Sequence, residues 1–270
     1  MSQEAGERLV VASLNTRGTS IKSSRLVERY RAIGAAFEAS EVDVVNFQEV
    51  LTYYHLRHLT RAMPSFGTAS YRQSVVGPAG GVVTFSRRAV ASTKYKRFPM
   101  LSAEQTAGVS QLARLKAPLK GALVSRLVEP QVSIVNTHLL ANFDGDWSVT
   151  NRFYRMHRSQ LAGLARVVGS AQAPIIVSGD FNISRESTLY RAFLSETKLV
   201  DAFGGECAPT FHAEFLEQGR TPHCIDFVLL AGPIEVVSAE LNFTGKLAMP
   251  SGSGYVSDHL GLCAELVVAE

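Results

Sequence analysis

The sequence predicts an α/β fold, on three observations. Short apolar runs rich in Val, Ile and Leu recur at 9–14, 42–47, 132–135, 174–177 and 225–230, and continuous runs of this length mark strands buried on both faces. Two stretches between them, 52–62 and 147–168, carry apolar residues at helical spacing instead. A hydrophobic content of 46% over 270 residues, with no low-complexity stretch or internal repeat, is enough for a sizeable core in one domain over 1–270.

Taken in order, the strands deliver polar groups at their ends. The run 9–14 is expected to end in Asn15, the run 42–47 in Gln48-Glu49, and the run 132–135 leads into Asn136-Thr137-His138-Leu139. A further strand, 122–128, follows Lys120-Gly121, and Gly80-Gly81 opens another at Val82. The run 174–177 meets Ser178-Gly179-Asp180-Phe181-Asn182. Positions i and i+2 of an extended chain point the same way, so Asp180 and Asn182 are expected to converge on one cation or phosphate. An oxygen donor set of this kind suits Mg²⁺ or Mn²⁺ better than zinc. The competing reading is an Asx turn, with Gly179 as breaker and Asp180 or Asn182 capping the next helix. Asp226 lies inside the apolar run 225–230, where an unpaired charge is costly. His259, in Ser257-Asp258-His259, is its expected partner, because a base needs a carboxylate on one ring nitrogen to fix its tautomer.

In this order, Asn15, Gln48-Glu49, Asn136-Thr137-His138, Gly179-Asp180-Phe181-Asn182, Ile225-Asp226-Phe227 and Ser257-Asp258-His259 resemble the endonuclease/exonuclease/phosphatase superfamily, the DNase I-like fold. The resemblance implies a four-layer α/β sandwich, two mixed sheets face to face with helices outside, and a Mg²⁺-dependent phosphodiesterase site at one edge. It also implies roles. Glu49 is the main metal ligand, with Asn15 and Asp258 beside it, and Asn15 also meets the phosphate. Asp180 and Asn182 position the attacking water and a phosphate oxygen. His259 is the general base, Asp226 its orienting carboxylate, and His138 a donor to the phosphoryl oxygens. Base-generated hydroxide and a metal-neutralised phosphate make a coherent in-line hydrolysis.

Three secondary motifs resemble the sphingomyelinase-like branch: Asn-Thr-His-Leu at 136–139, Lys120-Gly121, whose lysine is a candidate phosphate contact, and Tyr154-Arg155-Met156-His157-Arg158-Ser159-Gln160. They favour a lipid head group over nucleic acid as partner. A DNA or RNA nuclease is the first alternative, and a non-catalytic phospholipid- or protein-binding relative the second. Two departures from the family pattern stand out. Cys224 occupies the place of an arginine before Ile225-Asp226, and Thr16-Arg17-Gly18 lacks the aromatic more usual before the glycine. No long hydrophobic hairpin is evident, Phe98-Pro99-Met100-Leu101 being the nearest run.

The formal charge of +3 and pI near 8.8 mildly favour anionic partners without the basic stripe of an obligate DNA binder. Arg87-Arg88 and Lys94 to Arg97 read as a solvated edge. Three cysteines, Cys207, Cys224 and Cys263, indicate neither a disulfide framework nor a zinc site. With no apolar stretch of signal-peptide or membrane-spanning length, a soluble, cytoplasmic protein is expected. His55 and His58 read as surface positions on the 52–62 helix, and His212 and His223 as pocket-lining candidates. Irregular loops are expected at 100–118 and 248–254.

Overall fold

The computed structural model describes residues 6–19 and 25–269. Twelve strands form two six-stranded mixed sheets. The first holds β1 (Glu7–Asn15), β2 (Val44–Gln48), β3 (Thr68–Ser70), β4 (Val83–Ser86), β11 (Ile234–Asn242) and β12 (Gly261–Val268), in the order β11-β12-β1-β2-β4-β3. The second holds β5 (Val90–Arg97), β6 (Gly121–Leu127), β7 (Ser133–His138), β8 (Ile175–Asp180), β9 (Val200–Asp201) and β10 (Asp226–Ala231), in the order β5-β6-β7-β8-β10-β9. The parallel pairs are β1 with β2 and β7 with β8. Each needs a crossover, supplied by α1 (Leu26–Glu38) and α4 (Tyr154–Gly169). The other helices are α2 (Tyr53–Ala62), α3 (Gln111–Lys116) and α5 (Thr188–Thr197).

The four layers follow from the side-chain alternation of the strands. On β1, Leu9 and Val11 point between the sheets, where they meet Val44, Ile134, Ile176, Val228 and Leu266. Val10, Ala12 and Leu14 point outward, under Tyr30 and Ile33 of α1 and Leu59 of α2. On β8, Ile176 joins the inter-sheet core while Ile175 and Val177 lie under Leu161 and Leu164 of α4 and Phe193 of α5. Burying one such aliphatic side chain contributes about 1.5–3 kcal/mol.

A buried polar tie crosses the inter-sheet space beneath one end of the sandwich. Gln48 Nε2 donates to Asn136 Oδ1 at 2.9 Å, and Asn136 Nδ2 donates to the carbonyls of Phe47 and Val83. Asn46 Nδ2 donates to Ser178 Oγ at 2.8 Å. Donor–acceptor pairs of this kind fix how the sheets face each other, because a shift would orphan more of their atoms than the one, Gln48 Oε1, that has no partner among the described residues.

Four sequence expectations need correction. The helix expected over 147–168 starts at Tyr154, because Asp144 and Asp146 bond Asn151, Arg152 and Ser148 and hold 144–152 in turns. The irregular loop at 100–118 contains α3, started by Ser110, whose Oγ accepts from Ala113 N. His55 and His58 are buried rather than on the surface, because α2 turns them inward, with His55 against the Tyr30 ring at 5.2 Å. The strand carrying Asp180 does not extend to Asn182, which adopts φ 52°, so the two side chains do not run in parallel. Among the described residues, no helix is long and apolar enough to cross a membrane.

Candidate active site

Strand polarity gathers the polar termini at one end of the sandwich. Asn15 and Gln48 are register partners at the ends of β1 and β2. His138 pairs with Asp180 across β7 and β8, and Asp180 pairs with Asp226, the first residue of antiparallel β10. Gly179 makes the tight approach possible. It sits at φ 146°, and a Cβ there would lie 1.9 Å from Thr137 O.

Asp180 is the hub. Asn15 Nδ2 donates to its Oδ2 at 2.9 Å and the Asn182 amide to its Oδ1 at 2.9 Å. His138 Nε2 and His259 Nε2 face the same Oδ2 at 3.4 and 3.8 Å. Burial pushes the Asp180 carboxyl up to about 7, against the pull of His259, Asn15 and Lys120. His259 Nδ1–H donates to Asp226 Oδ2 at 2.9 Å, which leaves Nε2 turned toward Asp180. Burial opposes a charged ring at His259, yet the Asp226 and Asp180 carboxylates outweigh it and hold the imidazole well above its usual range. His138 goes the other way: burial, then the Lys120 and His259 charges, keep it well below the usual range. Two histidines flanking one carboxylate are thus shifted in opposite directions. Asp180, Asp226 and His259 also place ligand atoms within 4.8 Å of one another, a possible metal cluster among the described residues.

Glu49 and Asp258 are half-buried and stand apart from that network. Glu49 follows β2 at φ 61°, a left-handed conformation that costs a non-glycine residue on the order of 1–3 kcal/mol. Gly18 allows it, since a Cβ there would lie 1.7 Å from Glu49 O. The Glu49 carboxylate accepts no hydrogen bond and makes no ion pair among the described residues. Asp258 Oδ2 meets Arg17 Nε at 3.3 Å. Lys120 is half-buried; burial brings its ammonium down to about 8, with Glu49 and Asp180 opposing that shift. Asn182 Nδ2 donates to Leu139 O at 3.2 Å and Trp147 Nε1 to Asn182 O at 2.9 Å, so Asn182 also closes the turn after β7.

Thr210 and Arg29 are not among the residues singled out from sequence, and other residues named there take up contacts not foreseen. Thr210 Oγ1 donates to Asp226 Oδ2 at 2.6 Å and accepts from the amides of Ile225 and Asp226. Ser257 Oγ donates to Asn15 O and accepts from His259 N, tying the two strand ends together. Arg29 donates to the carbonyls of Thr16, Arg17 and Val256 from beneath. The 154–160 motif has a bracing function: His157 Nε2–H donates to Leu140 O at 2.7 Å and Gln160 Oε1 accepts from Leu140 N at 3.1 Å. His212 lies at the rim, its amide donating to Asp258 O. His223 packs on Trp147, ring centroids 4.9 Å apart. In place of the arginine missing at Cys224, Arg185 donates its Nε to Cys224 Sγ and pairs with Asp201 at 2.5 Å.

The match to known families covers the same span as these termini. The model of the "Endonuclease/Exonuclease/phosphatase family" matches residues 12–259. The chain belongs to this family. Sphingomyelinases recur among the family members it is similar to. One is a Caenorhabditis elegans protein named "Putative neutral sphingomyelinase", 26% identical over 213 residues, 74% of this chain and 46% of that one. The chain thus spans about half the length of that curated relative. The solved sphingomyelinase C from Streptomyces griseocarneus superposes with a TM-score of 0.68 at 18% identity, covering 96% of this chain and 99% of that one. The D. rerio TDP2 structure complexed with single strand DNA product superposes equally well, with a TM-score of 0.71 at 18% identity, 96% of this chain and 98% of that one. Shape alone therefore shows the DNase I-like fold of this family member and does not separate lipid from nucleic acid.

Proposed function

We propose that this protein is a divalent-metal-dependent phosphodiesterase of the sphingomyelinase type, releasing phosphocholine from a sphingolipid or lysophospholipid. The observation that carries the hydrolytic reading is the Asp226–His259 pair with Nε2 aimed at Asp180, because a binding module has no need of a base with its own carboxylate. The lipid reading rests on His138 beside Asp180, on Lys120 with its ammonium under the field of Glu49 and Asp180, and on the sphingomyelinase relative.

The residues at the mouth fit a hard cation. Glu49 offers a carboxylate without a hydrogen bond among the described residues, and Asn15 Oδ1, which accepts a single bond from Arg17 N, and Asp258, ion-paired to Arg17, add oxygens, the donor type that Mg²⁺ and Mn²⁺ take. Asp180 and Asp226 fit less well as ligands, because their oxygens already accept from Asn15, Asn182, Thr210 and His259. A bound divalent cation would supply charge neutralisation at the phosphate and leaving oxygen. From its neutral form, which the neighbouring carboxylates disfavour, His259 Nε2 takes the proton of the attacking water, and Asp226 holds the ring and stabilises its charge once the proton is taken. Asp180, fixed by Asn15 and Asn182, orients that water. His138 and Lys120 donate to phosphoryl oxygens as charge develops on them.

The test is side-by-side hydrolysis of sphingomyelin, lysophosphatidylcholine, and single- and double-stranded DNA and RNA, each with Mg²⁺ or EDTA and with His259→Ala as control. Phosphocholine release that requires both metal and His259 is the expected result. Cleavage of nucleic acid alone would move the protein to the nucleases, and no turnover on any substrate would defeat the hydrolase reading for these classes.

A further inference from the structure

Residues 50–128 carry twelve Lys and Arg and a single acidic residue, Glu104, while the rest of the chain carries fifteen basic and twenty-three acidic residues. The modest net charge of +3 therefore conceals a strongly cationic segment. The fold disperses part of it, Arg87, Arg88 and Arg126 being tied down at the end of the strands away from the site, while Lys94, Lys96 and Arg97 lie on β5 and Arg114 and Lys116 on α3. Residues 50–128 supply β3 and β4, the edge of the first sheet, and β5 and β6, the edge of the second. Those two edges lie on the same side of the sandwich, where Thr93 Oγ1 donates to Ser70 Oγ at 3.0 Å. Of the twelve cations, Arg88 alone is ion-paired among the described residues, to Glu7 and Asp43.

The same side exposes large apolar side chains. In α3 the usual burial is inverted: Ala113 faces the core, while Leu112 and Leu115 are 62% and 73% exposed. Met100 and Leu119 are exposed in the chain on either side of α3, and Val75 and Val76 are exposed in the turn that bonds the start of α2. This surface adjoins the mouth of the site. Leu119 immediately precedes Lys120, and Tyr95 OH donates to Leu119 O at 2.6 Å. Val76 O accepts from Tyr53 N just after Glu49-Val50-Leu51.

We propose that this edge is a docking face for a lipid bilayer containing anionic lipid, with α3 and the Val75-Val76 turn seated among the head groups. Leucines beside exposed Arg114 and Lys116, neither ion-paired among the described residues, combine the two attractions of an interfacial element, apolar burial and attraction to anionic lipid. A nucleic-acid backbone would use the charges but gain nothing from the aliphatic side chains, so the bilayer accounts for both. The proposal extends the lipid reading of the site, yet binding is measurable without turnover.

The test is flotation of the whole chain with phosphatidylcholine vesicles, with and without phosphatidylserine, at low and high salt. The variants are Leu112→Ser/Leu115→Ser and Arg114→Gln/Lys116→Gln, each checked for an unchanged thermal melt. Expected is binding that needs phosphatidylserine, falls with salt, and drops by roughly ten-fold or more in each double variant. Hydrolysis of a water-soluble aryl phosphodiester by the leucine variant should stay at the wild-type rate. Absence of vesicle binding, or vesicle binding indifferent to the leucine pair, overturns the proposal. So does binding of a single-stranded oligonucleotide that displaces vesicles and ignores the leucine pair. Vesicle binding without any lipid hydrolysis would sink the proposed substrate and leave the docking face standing.

Discussion

The two halves of the site are built on opposite rules. Around Asp226 and His259 the groups are buried and every contact is made by the protein itself, from Thr210, Asn15 and the Asn182 amide. Around Glu49 and Asp258 the carboxylates are half-exposed, and the Glu49 carboxylate accepts no hydrogen bond among the described residues while the residue sits in a strained backbone conformation. In the buried half the protein's own hydrogen bond fixes the His259 tautomer. The strain at Glu49 persists because the surroundings, Gly18 above all, enforce it.

Breaking the buried half should have the largest effect. His259→Ala should lower phosphodiester turnover by about 10²–10⁴-fold, the usual contribution of a general base, with the circular dichroism spectrum unchanged; a wild-type rate would remove His259 from the chemistry. Next comes the open half. Glu49→Ala should raise the divalent cation concentration needed for half-maximal activity by roughly ten-fold or more, while leaving the thermal melt near that of the wild type, since no hydrogen bond is lost. An unchanged metal requirement would place the cation elsewhere.

The strut beneath the buried half should respond through stability. His157 is fully buried and its ring is held down to about 4 by burial, with the bond to Leu140 O working the other way. Because its folded value lies below its unfolded one, the neutral ring stabilises fully above pH ~6.5, and that stability drains away as pH falls toward 4. The linkage corresponds to about 3 kcal/mol over this window. Urea melts at pH 7 and 4.5 should show it in the wild type and show a shallower pH slope in His157→Gln. Last comes Thr210→Val, which removes the hydrogen bond to the Asp226 carboxylate together with the two accepted from the Ile225 and Asp226 amides, and should cost at least about 1.5–3 kcal/mol of stability. An undiminished melt would mean that Asp226 finds another donor.

The strands of this protein were legible because their burial on both faces leaves continuous apolar runs, and the site's charged residues were legible because they interrupt or end those runs, as Asp226 and Asp180 do. What stayed hidden depends on contacts between segments distant in sequence. Thr210 sits in a loop with no periodicity, 16 residues from the Asp226 it supports. Gln48 and Glu49 are adjacent and both polar, and only the path of the chain at φ 61° shows that one enters the inter-sheet layer while the other faces the mouth. Helix α3 escaped notice because six residues with leucines on the outside lack the apolar face by which helices are read. The buried histidines of α2 escaped for the opposite reason, imidazole being polar enough to be taken for surface.

One geometric fact separates formation of structure from formation of function. Asp226 belongs to the second sheet, whereas His259 lies on the approach to β12 of the first, so the pair exists only once the two sheets have closed on one another. During refolding, strand content should therefore return before turnover does. An assay of hydrolysis would then time the meeting of the sheets, an event to which circular dichroism is blind.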